Sequence, residues 1–222
     1  MKKKCFLILA LTGVILAACT SAPASAPSSQ APQQSAREAA IEAARPIRTT
    51  PASRPPWVDI VPKSSTELSF IGVSPRYATD SDARYNAEEN GRRQLVDYYG
   101  TLMVNKGRQH TATFGISSEV FSPQIAAQQL NERIAQNVAQ ALAPAEYYTE
   151  VYLDNTNREA YQAYVLMEVA KSLVARVIDD YGREAAADYA KQAAAEQDAA
   201  RKQQLEKAAE FFGGNLSSTL DL

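Results

Sequence analysis

The chain has 222 residues, 45% hydrophobic and 22% charged, enough for one medium domain with tails. A formal charge of −2, from 23 basic and 25 acidic residues, excludes the concentrated basic face that nucleic-acid binding needs. With only Cys5, Cys19 and one histidine, thiolate clusters and multi-histidine zinc sites are excluded as well.

Lys2, Lys3 and Lys4 precede an almost unbroken apolar run over residues 5–16. That run is shorter than the roughly 20 residues a spanning helix needs. A charged start followed by a short apolar stretch is the pattern of a secretory leader. The run ends Leu16-Ala17-Ala18-Cys19, which resembles the lipobox of bacterial lipoproteins. The resemblance implies cleavage before Cys19 and acylation of its thiol and of the new amino terminus. Each buried methylene contributes about 0.8 kcal/mol, so two chains hold a protein firmly on a membrane. Thr20 stands where an aspartate would imply inner-membrane retention, so the outer membrane is expected, with the face open. Loss of residues 1–18 removes three lysines and no acid, so the charge falls from −2 to −5. Cys5 leaves with the leader, so the mature chain has no second thiol and no internal disulfide.

Residues 19–56 carry the lipidated cysteine and a stretch rich in Ala, Ser, Pro and Gln, a composition that continues to about Pro62. Such a stretch buries little and is expected to be a disordered tether, reaching roughly 35 Å on average. A domain is expected over residues 57–182. Residues 67–74 read as a strand, with Leu68, Phe70, Ile71 and Val73, and Trp57 and Val58 are placed to pack on it. Thr79 with Asp82 predicts a helix start. Ala83, Ala87, Gly91, Leu95, Tyr98 and Leu102 then form one stripe. Arg84, Glu88, Glu89, Arg92 and Arg93 read as its solvated face.

Thr111, Thr113, Phe114 and Ile116 suggest a strand. Ser122-Pro123 predicts a second helix with Ile125, Ala126, Leu130, Ile134, Val138 and Ala141 inward, stopped near Pro144. Residues 147–153 and 160–169, around Asp154-Asn155-Thr156-Asn157, read as a hairpin. A last helix starts near Lys171, with Leu173, Val174, Val177, Ile178 and Tyr181 inward and Gly182 as a point where it relaxes. Residues 183–222 form an Ala-rich helical tail closed by Gly213 and Gly214. The expected class is α+β: a small, mainly antiparallel sheet packed by two or three helices, plus the long C-terminal helix.

Prolines before Trp57, the strand Phe70-Ile71-Gly72-Val73-Ser74, and a helix with Ala83, Ala87 and Gly91 in register appear in that order. The late strand Tyr164-Val165-Leu166-Met167-Glu168-Val169 is followed by Lys171. Together they resemble the twenty-kilodalton outer-membrane lipoprotein family, the Lpp-twenty family, over residues 57–181. Gly91 departs from that pattern, where a small alanine is typical, and residues 103–121 carry no match. The family is similar in fold to a domain of a flagellar ring protein, and several members belong to envelope or flagellar outer-membrane structures. It implies a non-enzymatic role among envelope proteins and brings no catalytic residues.

Candidate chemistry is sparse. His110 is the one histidine, expected at a strand surface or edge; a Ser-His-Asp triad could form only around it, and no Gly-x-Ser-x-Gly elbow supports one. Gly72-Val73-Ser74-Pro75 lacks the spacing and lysine of a phosphate loop. The acid pairs Glu88-Glu89 and Asp179-Asp180 point about 100° apart on a helix and read as solvated. Tyr147, Tyr148, Tyr152, Tyr161 and Tyr164 crowd the hairpin. Alternation places Tyr148 and Tyr152 on one face and Tyr147 on the other. Tyr148, Tyr152, Tyr161 and Tyr164 are candidate interface residues, or ordinary sheet-rim residues. Leu205, Ala208, Ala209, Phe211 and Phe212 make an apolar patch for a partner or for the domain itself.

No catalytic residue, metal or cofactor is therefore expected. The expectation is a lipid-anchored adaptor or structural protein of the outer membrane, with envelope-protein partners. The alternatives are a periplasmic binder of a small molecule or glycan, using a tyrosine-lined cleft, and an envelope enzyme built on His110.

Overall fold

A computed structural model describes residues 45–221. The leader, the lipobox residues Leu16, Ala17 and Ala18, Cys19 and most of the expected tether lie outside the described residues. Over the described residues the protein is α+β: one four-stranded antiparallel sheet with five α-helices.

The sheet order is β1 (Arg48–Thr50), β3 (Ala143–Leu153), β4 (Glu159–Ala170), β2 (Glu67–Val73). β3 and β4 form the expected hairpin, with Tyr148 opposite Tyr164 and Val151 opposite Tyr161. Its turn is held by Asp154, whose carboxylate accepts from the backbone N–H of Thr156 at 2.8 Å and of Arg158 at 2.9 Å. β1 lies within the stretch expected as tether: Arg48, Thr49 and Thr50 pair with Val151, Glu150 and Thr149. The folded body therefore begins earlier than residue 57. A 3₁₀ turn, Pro56–Val58, follows and buries Trp57 and Val58.

Helix α1 (Asp80–Phe114) has 35 residues, about 50 Å of rise. The Thr79 hydroxyl caps it, accepting from the Asp82 N–H at 3.1 Å and donating to the Asp82 carboxylate at 2.6 Å. The strand expected at Thr111–Ile116 is absent; α1 runs through it to Phe114. Ala83, Ala87, Gly91, Leu95, Tyr99, Met103 and Gly107 are all buried, at strict four-residue steps. Four residues advance a helix by about 40° beyond one full turn, so the stripe winds round it. Its first half faces the sheet and its second half the other helices. This drift also shifts the stripe off Tyr98, which is 47% exposed, and Leu102, which is half-buried. Gly115, at φ +62°, ends α1, and the Ile116 N–H donates to the Thr111 carbonyl at 3.0 Å. That is a left-handed glycine cap of the Schellman kind.

Helix α2 (Pro123–Asn137) starts at the expected Ser122 cap and buries Ala126, Ala127, Leu130 and Ile134. Ile125, expected inside, is 59% exposed. The helix stops at Asn137, well before Pro144, which lies in β3 beside a bulge.

The C-terminal part is helical, as expected, but folds back on itself. α3 (Lys171–Ala195) passes Gly182 without a break. The chain turns at Glu196–Asp198, and α4 (Ala199–Gly213) returns along α3. Asp198 caps α4 by accepting from the Arg201 N–H at 2.7 Å. A short α5 (Leu216–Thr219) follows. Phe212 stacks on Tyr189 with centroids 5.6 Å apart, and Phe211, Phe212, Leu216 and Leu220 join the same core as Ala83, Met103 and Val165. No boundary falls at residue 182: residues 183–221 complete the domain rather than trailing from it, and the patch around Leu205 and Phe211 is covered from within.

Candidate functional site

The hairpin tyrosines split by face as strand alternation requires. Tyr148, Tyr152 and Tyr164 lie on the sheet face away from α1, and Tyr147 and Tyr161 on the face toward it. The outer face is not bare. Trp57 and Val58 pack on Tyr148, Leu166, Ile71 and Tyr164. The Trp57 indole N–H donates to the Glu146 carboxylate at 2.6 Å.

Glu150 sits at the centre of this face, its side chain 7% exposed. Arg54 Nη1 donates to its Oε1 at 2.6 Å. The hydroxyls of Tyr152 and Tyr164 donate to its Oε2 at 2.7 and 3.2 Å. The Arg54 guanidinium lies 5.6 Å from the Tyr148 ring centroid and 5.1 Å from that of Tyr164. Its other edge grips Asp59 at 3.0 and 3.2 Å. Arg76 lies over the Tyr152 ring at 3.6 Å. The segment between β1 and β2 is thus a strap across the outer sheet face, locked by one arginine.

The electrostatics follow from this packing. Hydrogen bonding to Asp59 raises the Arg54 pKa and lowers that of Asp59. Burial, then the bond to Glu150, pushes the Tyr152 phenol up to about 12. Burial and the Glu150 charge raise Tyr148 and Tyr164. Burial, then the bond to Glu88, pushes Tyr147 to about 12. At neutral pH these phenols act as donors, not as bases or nucleophiles. Tyr148 is 2% and Tyr152 6% exposed, so the expectation that they form an outward interface is corrected: the strap covers Tyr148, and Arg76, just after β2, lies over Tyr152. Tyr164 is half-buried beneath Arg54, and Tyr161 faces away, bonded to Glu159 and paired with Tyr77.

The remaining candidates also serve the fold. His110 is on α1, not on a strand edge. Its ring lies 4.6 Å from Phe114 and 5.0 Å from Phe211, and its Nε2 donates to the Lys207 carbonyl at 2.8 Å. Asp179 is not simply solvated, because it accepts from the Ser217 N–H at 2.8 Å and so anchors α5. Glu88 accepts from the Tyr147 hydroxyl at 2.6 Å, and Arg92 bridges Glu88 and Glu89. Among the described residues, no group of three or more His, Cys, Asp or Glu stands close enough to hold a metal ion. Nor is any described helix long and apolar enough to cross a membrane.

Sequence reasoning missed one surface feature, a trough of about 680 Å³ between α1 and α2. Val96, Gly100 and Val104 form one side of its floor and Ala127 the other. Asp97 stands on the α1 bank and Glu132 on the α2 bank. At the seam, Asn131 lies over Gly100, and its Oδ1 is buried without a hydrogen-bond partner. The signal in the sequence was the pair Val96 and Val104, eight residues apart and just off the buried stripe. No tyrosine lines the trough, so it differs from the tyrosine-lined cleft expected for a small-molecule binder.

Comparison with known proteins adds no relative: no protein-family model, no curated protein and no solved structure matches the chain.

Proposed function

We propose that this chain is a lipid-anchored envelope lipoprotein, held at the outer membrane through acyl chains on Cys19, with a structural or adaptor role and no enzymatic activity. The observation that carries the reading is the order of Lys2–Lys4, the apolar run and Leu16-Ala17-Ala18-Cys19. A charged start, a run too short to span and a small-residue pair before cysteine together specify export and acylation. The resemblance to the Lpp-twenty family supports an envelope setting, with a flagellar base among the assemblies it implies. The internal use of His110 and of the buried phenols fits a protein whose surfaces, rather than a reacting centre, do the work.

Affinity capture from intact envelopes tests this, run beside Cys19→Ala. The wild-type chain is expected to bring down envelope proteins that the unacylated variant loses. Capture of nothing above background by either chain would count against an adaptor. The second reading, a binder of small molecules or glycans, is favoured only by the trough. Its discriminating result is saturable binding of a glycan or small metabolite with no protein partner captured.

A further inference from the structure

We infer that the trough between α1 and α2 receives a short amphipathic helix of a partner protein, apolar along one ridge and bearing lysine or arginine at its flanks. This deepens the adaptor reading by naming a docking surface, and it rests on that reading for its biological setting. Three features lead to it. The first is shape: the trough follows α1 from Val96 to Asn105 and α2 from Gln124 to Ala135. At 1.5 Å per residue that is about 14 to 16 Å, close to three turns of a third helix. The second is openness along the top, which would leave a small ligand largely wet, whereas true ligand pockets bury most of their guest. A helix needs only its ridge covered, and a groove between two helices offers complementary walls.

The third feature is charge. Asp97 and Glu132 are the ionisable lining residues, one on each bank, and no cation lines the trough. Neither is ion-paired to a described cation; Glu132 accepts only from the Gln128 amide, at 3.2 Å. Two carboxylates flanking an apolar floor match a helix with an apolar ridge and basic flanks. They repel a second copy presenting the same acidic banks, and they repel a fatty carboxylate. The half-buried Val96 and Val104 supply the apolar contact.

The test uses the whole chain in phosphatidylcholine nanodiscs, which avoids detergent in the trough. The probe is a fluorescein-labelled, amide-capped fourteen-residue helix with leucines on one ridge and lysines at its flanks. Anisotropy should show saturable binding absent from empty nanodiscs. Thr101→Trp and Ala135→Trp, exposed positions on opposite banks, fill the trough and should each weaken binding about tenfold or more, with the circular dichroism unchanged. Asp97→Asn with Glu132→Gln should weaken it about threefold to tenfold and flatten its salt dependence. A probe with glutamates in place of lysines should not bind. Equal binding of both probes, or unaltered binding by both tryptophan variants, overturns the inference. So does a wild-type dimer that Thr101→Trp dissolves, which would make a second copy the occupant. Binding of cis-parinaric acid that the lysine probe cannot displace overturns it in favour of an acyl chain. Because the probe reads the trough itself and no captured partner enters the measurement, its failure leaves the adaptor reading to its own envelope experiment.

Discussion

Replacing Gly72 by alanine should be among the most damaging single-methyl additions in this protein. Gly72 of β2 lies against α1 at Ala87 and Gly91. A Cβ there would run into the Ala87 carbonyl, with the carbonyl carbon at 2.8 Å and the Gly91 nitrogen at 2.9 Å. Carbon atoms rest comfortably at about 3.5 to 4.0 Å, so strand and helix would have to part by about 1 Å. All these obstacles are backbone, and no side-chain rotation relieves them. A gap of that size forfeits about a quarter to a half of the dispersion well along the seam, over Ala83, Ala87, Val165 and Met167. Overpacking costs about 1 to 3 kcal/mol in general, and a rigid obstacle belongs at the top of that range, about 3 kcal/mol. Gly91→Ala is the control across the same seam. Its Cβ meets the flexible Met167 Cγ at 2.8 Å. Repacking that methionine costs about 1 kcal/mol, and removing a helix-interior glycine returns about the same. Thermal unfolding followed by circular dichroism should therefore show Gly72→Ala melting about 6 to 12 °C lower and Gly91→Ala within about 3 °C of wild type. If Gly91→Ala were the worse of the two, or Gly72→Ala were silent, the close-packing account of this seam would be wrong.

Three further outcomes follow from the sheet. Arg54→Ala should cost about 2 kcal/mol in urea unfolding, because Glu150, 7% exposed, would keep two phenol donors but lose its cation. Arg54 is itself 38% exposed, which keeps the loss below that of a fully buried pair; amide exchange in β1 should speed up in the same variant. Absorbance at 295 nm should show Tyr147 and Tyr152 still protonated at pH 11, since their phenols titrate near 12. A raised folded-state phenol pKa means this stability is intact below pH 10 and is lost as pH climbs from 10 towards 12; ionisation of all tyrosines near 10 in folded protein would contradict it. The Asp154 carboxyl should titrate near pH 2 by NMR, held down first by the Arg158 backbone N–H and then by the Thr156 hydroxyl. Because that pKa is lowered from 3.8, the turn keeps its support above pH 4 and loses it only as pH falls towards 2. A midpoint near 4 would show that the turn does not form as described.

What the sequence made legible was local. Thr79, Ser122-Pro123 and the Asp154 turn each act within a few residues, and the two β-rich hairpin strands flank that turn directly, so their positions hold in the structure. Residues 103–114 misled because Thr111 and Thr113 favour strands, while helix continuation there comes from packing on α2 and α4. The Phe114-Gly115-Ile116 cap was readable and marks the true end. In the Ala-rich tail, Asp198 was a readable start for α4; that the helix folds back became visible only through its partner, α3. Alternation correctly put Tyr148 and Tyr152 together, but the covering of Tyr148 by Trp57 and Arg54 and of Tyr152 by Arg76 depends on pairings about 75 to 95 residues apart. No periodicity in residues 48–50 announces β1, because three residues on a sheet edge take their structure from β3.

The proposed function depends on attachment through Cys19. Mass spectrometry of the N-terminal peptide from purified envelopes tests it most directly. The expected peptide begins at Cys19 and carries a diacylglyceryl thioether and an amide-linked acyl chain. A peptide retaining residues 1–18, with the Cys19 sulfur unmodified, would contradict it.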